Sequence, residues 1–165
     1  MAEHWDLAGR AVMVDVGQKR VTRRVAVARA EILLDPEAFR RVATGTAAKG
    51  DVLGVARVAG IAAAKRTPDL IPLCHPLALT AVAVRFRLEE PRVLVEAEVR
   101  CTGRTGAEME ALTVVSASCL TIYDMTKAYG QQARIGAVRL VAKSGGRSGT
   151  WVREGEEPWP ASETC

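Results

Sequence analysis

The chain has 165 residues, the length of one ordinary domain, and can bury a core without disulfide or metal staples. With 48% hydrophobic and 25% charged residues it is not intrinsically disordered, and no apolar run reaches membrane-spanning length. The net charge of +4 is dispersed and rests on 18 Arg and 5 Lys, while seven scattered aromatic residues are too few for a nucleic-acid stacking platform.

Residues 1–20 read as an N-terminal arm. Met1 to Asp6 lacks a charged segment followed by an apolar one, so an unexported, cytoplasmic protein is expected, with no membrane contact. Val12, Val14 and Val16 alternate and offer an edge strand. Residues 21–144 read as a single domain. Val21 to Leu34 alternates as a strand, with Val25, Val27, Arg29 and Glu31 against Ala26, Ala28, Ala30 and Ile32. Asp35-Pro36 opens a short helix that stops near Gly45, and Gly45 to Gly50 is a loop around Lys49. Asp51 caps a second helix, from Val52 to about Arg66, with a small-residue stripe of Val52, Val55, Ala59, Ala62 and Ala63.

A proline-punctuated connection carries Cys74 and His75. Val82 to Leu88 and Val93 to Val99 then alternate as the two arms of a hairpin around Glu89-Glu90-Pro91. Gly103 to Gly106 leads into a long helix, about Ala107 to Ala128, and Ile135, Val138, Leu140 and Ala142 mark a last strand. The predicted order β-α-α-β-β-α-β is an α+β, ferredoxin-like split βαβ arrangement with an extra helix: a four-stranded antiparallel sheet covered by helices. Residues 145–165 read as a flexible C-terminal loop and an acidic, frayed tail.

Cys74, Cys101, Cys119 and Cys165 show neither CxxC nor metal-ligand spacing; Cys101 and Cys119 are expected as buried thiols, and no metal site is expected. Asp124 and Lys127 stand three apart near the end of the long helix and can form a coupled acid/base pair or an ordinary surface ion pair. His75 can serve proton transfer or phosphate binding, or be a loop histidine; extended geometry would point it away from Cys74. Glu108 and Glu110 open the helix, where acids favour the dipole. They lie roughly 20–24 Å from Asp124 at 1.5 Å per residue, so both ends can serve one small substrate only across a subunit interface. Lysine, unlike arginine, can be tuned to exchange protons, so Lys49, Lys65, Lys127 and Lys143 in an arginine-rich chain point weakly to chemistry.

These segments also match a known family. Met13 to Val16, Lys49-Gly50-Asp51-Val52, Ala64 to Thr67, Asp69 to Leu77, Thr105 to Thr113, Leu120 to Met125 and Ala142 to Gly146 resemble MoaC, the cyclic pyranopterin monophosphate synthases of molybdenum cofactor biosynthesis. The resemblance runs from about residue 12 to 149. It implies a lyase that rearranges 3′,8-cyclised dihydro-GTP to cyclic pyranopterin monophosphate and releases pyrophosphate. It also implies a homo-oligomer, a hexamer built as a trimer of dimers, with active sites at dimer interfaces. By resemblance Asp124, Lys49 and Lys127 are catalytic, and Leu73, Cys74, His75, Glu108, Met109, Glu110, Lys143 and Arg24 bind substrate. No cofactor is required, and whether Mg²⁺ accompanies the triphosphate stays open. Thr126, Ala107, Arg104 and Arg147 depart mildly from the family pattern. Two rival readings are a ligand-sensing regulatory module and an RNA-binding domain; a cluster of Asp124, Lys127, Lys49 and His75 would favour the enzyme.

Overall fold

A computed structural model of the chain describes residues 8–160. The outer parts of the expected arm and tail, residues 1–7 and 161–165, lie outside the described residues. The elements are β1 (Thr22–Leu33), α1 (Pro36–Ala43), α2 (Val52–Ala64), the single turn α3 (Thr67–Leu70), β2 (Leu79–Glu89), β3 (Arg92–Gly103), α4 (Glu108–Thr126), a 3₁₀ turn (Lys127–Tyr129), β4 (Arg134–Ser144) and β5 (Trp151–Val152). The sheet is antiparallel in the order β2-β3-β1-β4-β5.

The expected four-stranded sheet therefore has five strands. A two-residue strand has no alternation to read. It forms because Gly145 and Gly146, at φ +94° and +72°, turn the chain back so that Trp151 and Val152 pair with Lys143 and Ala142 on the β4 edge. The offered edge strand at Val12 to Val16 does not form; Ala11 makes an isolated bridge instead.

Local chemistry explains the main elements. Ala26, Ala28, Ala30 and Ile32 of β1 and Val93, Val95, Ala97 and Val99 of β3 face the helices and are buried. Alternation puts Val27 on the other face, where it packs with Val141 and Ala142 of β4. β4 itself is irregular, with register shifts against β1 and Ala137 at φ +50°, which is why Val138 is exposed although its spacing suggested a buried position. Asp51 caps α2 by accepting from the Gly54 N–H at 2.9 Å. Asp35 heads α1 without a side-chain cap, and its carboxylate accepts from Gln132 N–H at 3.1 Å instead, tying α1 to the approach of β4.

The buried face of α2 is Val52, Ala56, Gly60 and Ala64, not the expected stripe through Val55 and Ala62, which are exposed. Contact with α4 decides this. A Cβ on Gly60 would lie 2.5 Å from Ser118 Oγ and 3.0 Å from Val114 Cγ1, and the Ser118 hydroxyl donates to Ala56 O at 3.1 Å. Gly60→Val is expected to destabilise the chain by about 3 kcal/mol, through overpacking at this crossing, read as a lower urea midpoint at unchanged slope.

The outer face of the sheet is not bare. Arg85, Glu96 and Arg29 stand opposite one another on β2, β3 and β1, and Glu96, 1% exposed, bonds Arg29 at 2.8 Å and Arg85 at 3.0 Å. Arg29 in turn faces Arg139 of β4, and Glu156 bonds both guanidiniums. Trp159 lies under the guanidiniums of Arg29 and Arg87, 4.9 and 4.5 Å from its ring centre, and donates its backbone N–H to Glu96 at 3.0 Å. Residues 151–160 form a strap across this face, which corrects the fraying expected from Glu154 onward for residues 154–160. An acidic, proline-containing stretch looks loose by composition, but these carboxylates answer a row of arginines.

Candidate functional site

At the C-terminal end of α4, helical spacing brings Asp124 and Lys127 together, with Lys127 Nζ 2.8 Å from Asp124 Oδ1. The α1–α2 loop adds Lys49, whose Nζ donates to Asp124 Oδ2 at 3.0 Å and to the Asp124 carbonyl at 2.9 Å. That carbonyl belongs to the negative end of the helix, so the cation answers both the side chain and the backbone dipole. Tyr129 holds the loop in place: its hydroxyl accepts from the Ala48 N–H at 2.5 Å, and Arg41 lies 5.6 Å from its ring centre. Lys127 and Lys49 together pull the Asp124 carboxyl down to about 2, and Asp124 raises Lys127 above the ordinary lysine value. Asp124 is therefore a carboxylate, and a weak base, at any neutral pH. The three side chains are half exposed, so their ion pairs add little to stability.

The N-terminal end of α4 borders a pocket of about 270 Å³, lined among others by Leu73, Cys74, His75, Glu108, Met109 and Glu110. Cys74 and His75 both line it, although neighbours in an extended segment would point apart, and Cys74 closes the preceding turn with its N–H on Ile71 O at 3.0 Å. Burial pushes the Cys74 thiol up, reinforced by the Glu110 charge, which works against a thiolate. Cys101 and Cys119 are buried thiols as expected, and burial raises Cys119 to about 12.

Glu110 is 3% exposed. Burial raises its pKa, its own backbone N–H opposes the rise, and the neighbouring Glu108 charge adds to it. A carboxyl whose pKa is raised on folding stabilises the fold only while protonated, and that contribution is lost as pH climbs from the ordinary glutamate range through the raised value. Glu110→Gln is therefore expected to raise the thermal midpoint at pH 8, with the gap closing as pH falls below about 4.

Glu108 turns back over Gly106, where a Cβ would sit 1.9 Å from Glu108 Oε2, and its Oε1 accepts from Lys143 Nζ at 3.0 Å. Arg24 lies beside this pair, with Nε donating to Gly103 O at 3.2 Å and Nη2 to Arg104 O at 3.0 Å.

The chain thus gathers the expected residues into two clusters rather than one. Asp124, Lys49 and Lys127 meet at one end of α4; Leu73, Cys74, His75, Glu108, Met109, Glu110, Lys143 and Arg24 gather at the other. Sixteen helical steps from Glu108 to Asp124 separate the clusters by about 24 Å. His75 does not join Asp124 within the chain. The residues that sequence reasoning missed are Val14, Val16 and Lys19, which line the pocket from the arm, with Thr105 and Gly106, and Tyr129 behind Lys49. The Met13 to Val16 motif was the available signal for the first group. Among the described residues no group of three His, Cys, Asp or Glu side chains is placed to hold a metal ion, and no helix is long and apolar enough to cross a membrane.

Comparison with known proteins adds the following. A sequence profile described as the MoaC family matches residues 13–146. A protein named cyclic pyranopterin monophosphate synthase from Pelotomaculum thermopropionicum is 58% identical over 158 residues, covering 94% of this chain and 93% of the relative. A protein of the same name from Roseiflexus sp. is 60% identical over 153 residues, covering 92% and 97%. Another from Brucella melitensis is 56% identical over 151 residues, covering 90% and 92%.

Proposed function

This chain belongs to the MoaC family, and we propose that it is a cyclic pyranopterin monophosphate synthase, converting 3′,8-cyclised dihydro-GTP to cyclic pyranopterin monophosphate and pyrophosphate in molybdenum cofactor biosynthesis. The observation that carries the reading is that the similarity spans both polar clusters, each built from groups suited to this chemistry. In reaction class this is a phosphorus–oxygen lyase. Attack by a substrate hydroxyl on the α-phosphate closes the cyclic phosphate as pyrophosphate leaves, and cations at the phosphates stabilise the departing charge.

Lys49 and Lys143 supply such cations. Lys127, held protonated beside Asp124, is suited to act as a fixed positive charge at the reacting groups, and Asp124 to orient the two ammonium groups. The buried Glu110, with His75 and Glu108, is suited to position the base or sugar, against Leu73, Cys74 and Met109. Arg24, expected as a substrate contact, already has two of its nitrogens engaged by backbone carbonyls. No resident cofactor enters this scheme; Mg²⁺ that accompanies the triphosphate would belong to the substrate.

The same reading takes the active unit to be a dimer within a hexamer, with the Asp124 cluster of one subunit facing the Glu110 pocket of its partner. The separation of the clusters along α4 supports it, as does apolar surface left exposed at Val55 and Val58 on α2 and Leu120 on α4. We read the four long strands, in the order β2-β3-β1-β4, as the ferredoxin-like split βαβ sheet of a single catalytic domain, and the protein as cytoplasmic. Incubating the protein with the cyclised dihydro-GTP should yield pyrophosphate and the pyranopterin product together; absence of both from folded oligomer would overturn the assignment.

A further inference from the structure

We propose that Arg24 and Gly146 form a clamp that fixes the turn after β4 against the loop before α4, and so sets the Lys143–Glu108 pair; Arg24 is then a positioning residue rather than a substrate ligand. This deepens the function proposed above, and only its kinetic arm rests on that reading.

The argument starts at the end of a ladder. Pairing of β1 with β4 runs out at Val25 opposite Ser144, whereas pairing of β1 with β3 continues past Arg24, opposite Cys101, to Thr22 opposite Gly103. Beyond Ser144 the β4 side has lost its strand hydrogen bonds, and something else must hold the chain. Gly145 and Gly146 do so by lying against Arg23 and Arg24. A Cβ on Gly145 would lie 2.1 Å from Arg23 O, and one on Gly146 would lie 2.2 Å from Arg24 Nη1 and 2.7 Å from its Cζ. Both glycines have positive φ, so a side chain at either place meets strain and collision together.

On its other side the same guanidinium donates to Gly103 O and Arg104 O. Arg24, half-buried, is thus the filling between two loops that are distant in sequence. The second tie between these segments is Lys143 to Glu108, at 3.0 Å. That ion pair is only as well placed as the loops that carry it. A planar fork with fixed donor directions can hold two adjacent carbonyls and present a flat face to a glycine backbone; a lysine ammonium can match the charge but not the shape.

The test uses Arg24→Lys, Arg24→Gln, Gly146→Ala, the double variant Arg24→Gln/Gly146→Ala, and Gly149→Ala. Gly149 has φ +67° but nothing within 4 Å of a Cβ, so its variant reports backbone strain alone. Amide hydrogen exchange at 103–106 and 145–149 should speed up by about tenfold or more in both loops for Arg24→Gln, Arg24→Lys and Gly146→Ala, and stay near wild type at 103–106 for Gly149→Ala. With the cyclised dihydro-GTP, kcat should fall about 100-fold in the first three while KM changes less than about threefold, as expected for misplacement of groups that act on bound substrate. The double variant should be no worse than the poorer single.

Two results would overturn the clamp. One is Gly146→Ala leaving exchange at 103–106 at the wild-type rate. The other is Arg24→Lys keeping wild-type kcat while Arg24→Gln raises KM, the signature of a simple charge contact. If wild-type protein makes no product, the proposed function fails, and the exchange experiment alone decides the clamp.

Discussion

Asp124→Asn is expected to lower turnover by about 10³-fold or more while leaving thermal stability close to wild type. The dissociation of the two effects follows from where the carboxylate sits. Its side chain is 58% exposed and those of Lys49 and Lys127 are 48% and 57% exposed, so little of the fold depends on the three of them. Their arrangement, in contrast, depends entirely on the carboxylate: both ammonium groups are held within 3.0 Å of its oxygens, and the neutral amide would leave two cations facing each other. The pH dependence carries a sign. Asp124 titrates at about 2, so an acid limb above about pH 4 in the activity profile must belong to another group. Because Asp124 raises Lys127, its loss returns that lysine toward its ordinary value and moves any alkaline limb to lower pH. Product formation by the folded variant above a tenth of wild type would sink the role assigned to Asp124.

A mixture of two inactive proteins should regain about a quarter of wild-type activity, if the two clusters meet across a two-fold interface. Asp124→Asn destroys the cluster at one end of α4, and Glu110→Gln is expected to abolish turnover by removing the carboxylate assigned to position the base or sugar at the other. Within a mixed dimer one site inherits both lesions, and the other inherits neither. Random exchange makes about half of the dimers mixed, so about one site in four is intact. A site contained in a single chain predicts no recovery at any mixing ratio. The measurement is product formation before and after subunit exchange, with each variant alone as the baseline.

Much of this arrangement was legible in the sequence wherever the signal is local. The hairpin β2–β3 follows from alternation on both arms, the cap at Asp51 from one residue type ahead of an apolar run, and the Asp124–Lys127 pair from helical spacing. What was not legible depends on partners far along the chain. Lys49 and Asp124 are 75 positions apart, and nothing in either neighbourhood names the other. The face of α2 was misassigned because small residues occupy several sides of it, and only the approach of Ser118 and Val114 selects Gly60 for the inside. The strap failed for a related reason: Glu156 and Trp159 have no periodicity, and their value lies in Arg29, Arg87, Glu96 and Arg139. Family resemblance pointed to residues at both ends of α4 and marked Met13 to Val16, whereas the place of Val14, Val16 and Lys19 in the pocket wall came only with the fold.

The charge row on the outer face also acts as a check on strand registration. Its members come from four strands and the strap, in the order Arg85, Glu96, Arg29, Glu156 and Arg139, with Glu156 of the strap set between two arginines that face each other on β1 and β4, and they alternate in sign only if every pairing is in step. Slippage of a strand by a single residue turns its side chains to the opposite face. A slipped β3 would drive Glu96 under the helices without a cation and leave Arg85 and Arg29 without their shared carboxylate, at a cost of about 3–5 kcal/mol for the broken buried pair. Mispaired sheets therefore cannot close the row, and the strap, which needs Glu96 for its Trp159 amide and both Arg29 and Arg139 for Glu156, docks only on a correctly assembled one.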